Sequence, residues 1–184
     1  MLTTDRPWIS EWSREMANLV VELDPVTHIT AGAIGPVGQR TFFIQARRGP
    51  DQVDLLCEKE HVLALADAVD ELFAKLESEL EIARYSDLEV DEAEMQLKEP
   101  VDPLFRVGAM GLGYDAGRDR VLLVAQELVP EDEDRDPREA RFFATRSQMQ
   151  ALAGYGRDVV GRGRAPEIRA LQAGAYVRRN GHED

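Results

Sequence analysis

Cysteine is nearly missing from this chain. Cys57 is the single one in 184 residues, which excludes an intramolecular disulfide and a cysteine-built zinc site and agrees with a reducing compartment. Long apolar runs are missing as well: no stretch approaches the roughly 18 uncharged residues of a membrane span. The first residues lack the basic region and apolar segment of a secretory signal. Together these absences point to the cytoplasm and to no membrane partner. Histidine is scarce, and His28, His61 and His182 are too scattered to suggest a metal centre. Positive charge is the last shortage. Lysine and arginine number 22 against 35 acids, for a net charge of −13, so no broad basic face is expected to displace phosphate counterions and general nucleic-acid binding is not expected.

What is present is an ordinary globular composition, 43% hydrophobic and 31% charged. The acidity is local. Residues 77–102 hold ten acids against Arg84 and Lys98, and residues 127–139 hold seven against Arg135 and Arg138. The chain therefore reads as a charge-balanced domain with two acidic connectors. Toward the C-terminus Arg157, Arg162, Arg164, Arg169, Arg178 and Arg179 are expected to be solvated or to neutralise the chain's own acids.

Gly32-Ala33-Ile34-Gly35 recurs as Gly108-Ala109-Met110-Gly111, each time at the start of a β-rich run that ends in an amphipathic helix. Strands are predicted at 18–23, 28–34, 40–47 and 53–57. They are followed by a helix with an apolar seam of Val62, Ala66, Val69, Phe73, Leu76 and Leu80. The second half repeats the plan with strands at 105–114, 120–129 and 141–144. Its helix runs to about Val160, announced by the capping box Thr145-Arg146-Ser147-Gln148 and weakened by Gly154 and Gly156. Between the halves, 84–103 loses periodicity and reads as an acidic connector, partly helical at its start. The fold class predicted is α+β: two tandem βββα units, about 16–83 and 104–164, forming one largely antiparallel sheet with helices on one face. This makes 16–164 a single domain, with 1–15 an N-terminal extension and 165–184 a tail. In the extension Trp8, Ile9, Trp12 and Met16 share a helical face that is expected to dock on the body. Several strands are apolar on both sides, so the sheet face away from the helices needs a cover. The tail, the tryptophans or a second copy in a homodimer could supply it.

Candidate chemistry is thin. Cys57 stands at a helix N-terminus with His61 one turn on, but no third group orients them, and a buried small hydrophobe is the expected role. Asp132, Asp134 and Asp136 alternate with glutamates but lack the glycine and distal glutamate of a calcium loop. Gly35 and Gly38 followed by Arg40 form the one candidate ligand site. Backbone amides of the turn would cradle a phosphate and Arg40 would supply the counter-charge, although a strand rather than a helix follows the glycines. No catalytic set, metal site or cofactor is read.

The segments Asp24-Pro25, His28-Ile29-Thr30-Ala31-Gly32, Gly38-Gln39-Arg40-Thr41-Phe42-Phe43-Ile44-Gln45-Ala46 and Glu58-Lys59 resemble an uncharacterised, mainly actinobacterial family. Its members are often encoded beside histidine-phosphatase-like and kinase-like proteins. The resemblance runs from about Met16 to His182 and implies no established activity. The cysteine-rich, zinc-ribbon-like tail common in that family is absent here, where Pro166-Glu167-Ile168-Arg169 stands instead; only Arg178-Arg179-Asn180-Gly181-His182 is kept. The expected function is a non-enzymatic interaction or regulatory module with an unknown protein partner. The alternative is an enzyme or sensor binding a phosphorylated small molecule or nucleotide.

Overall fold

The computed structural model describes residues 19–162. The tryptophan-bearing extension and the arginines of the tail lie outside the described residues. Seven strands and two helices make an α+β fold: β1 (Leu19–Leu23), β2 (His28–Ile34), β3 (Thr41–Arg48), β4 (Asp51–Cys57), α1 (Lys59–Leu80), β5 (Pro103–Asp115), β6 (Arg120–Glu127), β7 (Glu139–Ala144) and α2 (Arg146–Gly161). All strands join one sheet in the order β1-β7-β6-β5-β4-β3-β2. The sheet is mixed: β2–β3, β3–β4, β5–β6 and β6–β7 pair antiparallel, while β4 pairs parallel with β5 and β1 parallel with β7.

Chain order and sheet order together force a curl. Six gaps of about 4.8 Å would make a flat sheet roughly 29 Å wide. The first and last strands of that order are β1 and β2, joined by only 24–27. Five Cα steps reach at most about 18 Å. Backbone bonds mark where the sheet rolls: Val26 donates to the Phe143 carbonyl of β7 at 2.8 Å, and Thr27 donates to the Arg47 carbonyl of β3 at 2.7 Å.

Strand alternation sorts the side chains. Ile29, Ala31, Phe42, Ile44, Leu55, Leu123 and Phe142 share a core with Val62, Leu65, Ala66, Val69, Phe73 and Leu76 of α1 and Met149, Leu152 and Val159 of α2. Full burial of such side chains contributes about 1.5–3 kcal/mol each. Leu80, expected in the seam, is 47% exposed where α1 ends. The left-handed Glu81 closes that helix, with Ile82 donating to the Leu76 carbonyl. At α2 the capping box forms as read, Thr145 Oγ1 accepting from the Gln148 amide and the Gln148 side chain accepting from Thr145 N.

Helix α2 runs beside β2. Its Gln148 amide group reaches the Val26 and Thr27 carbonyls, and Gly156 sits against Ala31 and Val62. A Cβ on Gly156 would lie 2.9 Å from Val62 Cγ1, so that glycine permits the close approach of helix to helix and sheet.

Candidate functional site

The face of the sheet turned away from the helices carries a transverse polar row. Thr30, Gln45 and Asp54 are register partners on β2, β3 and β4, and are 0%, 0% and 3% exposed. Polar groups this deep must find hydrogen bonds, and the connector supplies them. Thr30 Oγ1 donates to the Met95 carbonyl at 2.5 Å, and Gln45 donates to the Lys98 carbonyl at 3.0 Å while accepting from Lys98 N at 2.9 Å. Asp54 accepts from Asp102 N at 2.9 Å and from the side chains of Gln45 and Gln52. Gln52 also reaches the Lys98 and Pro100 carbonyls. Leu97 lies so close over Gly32 that a Cβ there would be 2.5 Å from Leu97 Cγ.

The connector is therefore a strap. Residues 95–102 lie across β2–β4 and supply the cover that the sheet demanded, from a segment not anticipated for that role. Nothing between 81 and 102 forms an α-helix, contrary to the expectation for its start. Met95 is buried, while Glu89, Asp91, Glu92, Glu94 and Glu99 face solvent.

Gly35 and Gly38 take φ of 110° and 86°, which only glycine adopts without strain, so the turn between β2 and β3 requires them. Arg40 points away from a free-anion role. Its Nη1 donates to the Val159 carbonyl at 2.6 Å and its Nη2 to the Val160 carbonyl at 3.1 Å, while the guanidinium stacks on Phe42. A cation on the last carbonyls of a helix is favoured by their dipoles. Of the three, Arg40 alone lines a groove shared with Leu97, Tyr155 and Arg162, and its charge is engaged by α2.

Cys57 is buried, and burial, aided by Glu58, pushes its thiol up to about 12. His61 is occupied nearby, its Nδ1 accepting from Glu58 N at 3.1 Å. The pair is thus a strand end and a helix cap, and the thiol stays protonated at neutral pH. The second acidic segment folds back on itself. Glu127 takes both Arg135 and Arg138 in paired hydrogen bonds, and these guanidiniums hold its carboxyl well below the usual carboxylate range. Asp132, Asp134 and Asp136 stay exposed, and no metal-holding cluster occurs among the described residues. Of the basic cluster, Arg157 pairs with Asp67 and Asp70 of α1, and Arg162 with Glu92 of the connector.

Sequence reasoning missed the Thr30, Gln45 and Asp54 row. It also missed the buried Glu139–Arg141 pair on β7, 2.6 Å apart. The available signal was polarity at β-strand positions between apolar neighbours, as in Ile44-Gln45-Ala46. No curated protein and no solved structure matches the chain. Residues 21–169 match the family described as protein of unknown function (DUF3090), and the chain belongs to that family.

Proposed function

We propose that this protein is a non-enzymatic interaction or regulatory module of the cytoplasm, and that the acidic strap is its docking surface for a basic partner. The observation that carries the reading is the pinning of 95–102 by Thr30, Gln45, Gln52 and Asp54. Glu99 stands on that tethered stretch and Glu89, Asp91, Glu92 and Glu94 directly precede it, so outward acids are presented from a held segment, which lowers the ordering cost of binding. The partner would be recognised by basic charge, with salt-sensitive association.

The two halves, 16–83 and 104–164, are proposed as an internal repeat within one domain spanning 16–164. Support comes from the matching orders β2-β3-β4-α1 and β5-β6-β7-α2, with β1 an additional strand of the first half, and from Cys57 and Ala144, each the last residue of the strand before the helix. Gly32 and Gly108 both permit a close approach, but to different things: the Leu97 side chain in one half and the Leu128 backbone in the other. On this view the halves share a scaffold and diverge in what lies on it. The rival reading, an enzyme or sensor taking a phosphorylated small molecule or nucleotide at Gly35, Gly38 and Arg40, is weakened by the engagement of Arg40 with α2.

The test is affinity capture from source lysate with the wild type and with the triple variant Asp87→Asn, Glu89→Gln, Glu99→Gln. A retained basic protein should elute with salt and be absent from the variant's eluate, while the variant's melting temperature stays unchanged. Equal capture by both proteins, or none by either, overturns the strap as the docking surface.

A further inference from the structure

Beside the strap, a crevice of about 640 Å³ opens between the Thr27–His28 end of β2, Arg47 on β3 and strap residues 93–98. His28 and Arg47 face each other directly in the β2–β3 register. His28 Nε2 and Arg47 Nε are both shut off from solvent and lack a hydrogen-bond partner, and among the described residues they are the two buried side-chain atoms so left. An unsatisfied buried donor costs about 1–3 kcal/mol, more when charged, and native structures retain few of them.

The isolation of Arg47 stands out against the other arginines. Arg84, Arg106, Arg118, Arg135, Arg138, Arg141, Arg146, Arg157 and Arg162 each hold a carboxylate. Arg40 and Arg120 hold carbonyls, and Arg48 is exposed. Among the described residues Arg47 alone is a partly buried guanidinium with no partner. Lys98 adds a second cation at the rim, on a backbone fixed by Gln45 and Gln52. Among the described residues Glu94 is the one acid lining the crevice, so two cations confront one carboxylate.

We propose that this crevice binds the phosphate group of a small phosphorylated molecule, with the Arg47 guanidinium and the His28 imidazole as inner groups and Lys98 as the outer charge. An oxyanion is the complement that pairs with the guanidinium and neutralises it in one step. Glu94 then faces the rest of the ligand, where it can accept from a hydroxyl and disfavours a second anionic group. The volume falls within the range of small-molecule sites and exceeds what phosphate alone would fill. Burial lowers the pKa of His28, and Arg47 and Lys98 lower it further while Glu94 opposes them. A bound anion reverses that balance and favours the imidazolium. The site is separate from the Gly35–Gly38 turn and independent of the docking surface proposed for the strap.

Inorganic phosphate is the probe, titrated against chloride at constant ionic strength, with calorimetry and the His28 imidazole proton resonances as readouts. Saturable binding is expected, together with an imidazole titration moved to higher pH. Arg47→Gln should weaken binding by about tenfold or more and Lys98→Gln by a few-fold, as for lost charge-assisted bonds, whereas Arg40→Gln should leave it intact. No saturable binding, or binding unchanged in Arg47→Gln, overturns the assignment. Loss in Arg40→Gln alone also overturns it by moving the anion to the turn. Should Arg47→Gln not fold, the exposed Lys98→Gln decides, and full affinity in that variant overturns the proposal.

Discussion

Glu127 is a carboxylate shared by two arginines and by the Arg138 backbone amide, and it closes the acidic loop 130–138 onto the end of β6. Its side chain is nearly enclosed, with Arg138 also reaching the Leu104 carbonyl and stacking on Phe105. Replacing it by Gln removes the charge that organises both guanidiniums. Glu127→Gln is expected to cost about 2 kcal/mol of unfolding free energy by urea denaturation, as for hydrogen bonds to a charged group. The sign of the pH effect follows from the depressed pKa. The unfolded carboxyl titrates near about 4.3. The stabilisation is therefore complete above that pH and is lost as pH falls below it toward the folded value. Wild type and Glu127→Gln should accordingly converge in stability under acid, and a difference constant from pH 7 to pH 3 would contradict this account.

At the scale of elements, Gly154 and Gly156 make the point that two residues alike in sequence can have opposite roles. Gly154 is exposed with nothing within 4 Å of a Cβ placed there, so Gly154→Ala should stabilise α2 by up to about 1 kcal/mol. Gly156→Val should destabilise by about 1–3 kcal/mol through overpacking on Val62, and Val62→Ala in the same chain should recover part of that loss. Thermal melts of the four proteins give both signs. The helices and strands were legible because their apolar spacing repeats: β2 and the Thr145 cap fall where the residues place them. The strap was not legible. Its tethers are side-chain bonds from Thr30, Gln45 and Asp54 to the backbone about fifty residues or more away, and such bonds leave no period and select no residue type in the strap. The sequence offers Arg40 as the counter-charge of a phosphate in the glycine turn, but the destination of its guanidinium at Val159 and Val160 is a tertiary fact.

For the whole molecule, the polar row couples the outer face of β2–β4 to the segment that joins the two halves. The amides of Lys98 and Asp102 donate to side chains of the sheet, so their hydrogen exchange reports on the strap directly. Asp54→Asn puts an amide donor where Asp54 accepts from the Asp102 amide, and exchange at Asp102 should speed up by about tenfold or more. The amides of β6, which pair within the sheet's interior, should not change. Equal acceleration throughout would mean that the substitution lowers global stability instead of releasing the strap.

The parallel register of β1 on β7, with Leu23 opposite Phe142, ties the beginning of the described chain to its end. During synthesis β1 emerges early yet has no partner until Glu139–Ala144 follows, so it must wait through most of translation. The long sequence separation of that pairing predicts slow, late closure of the sheet. Until β1 docks, β7 presents an unpaired edge to other nascent chains, and this interval is when the protein is most exposed to misassembly.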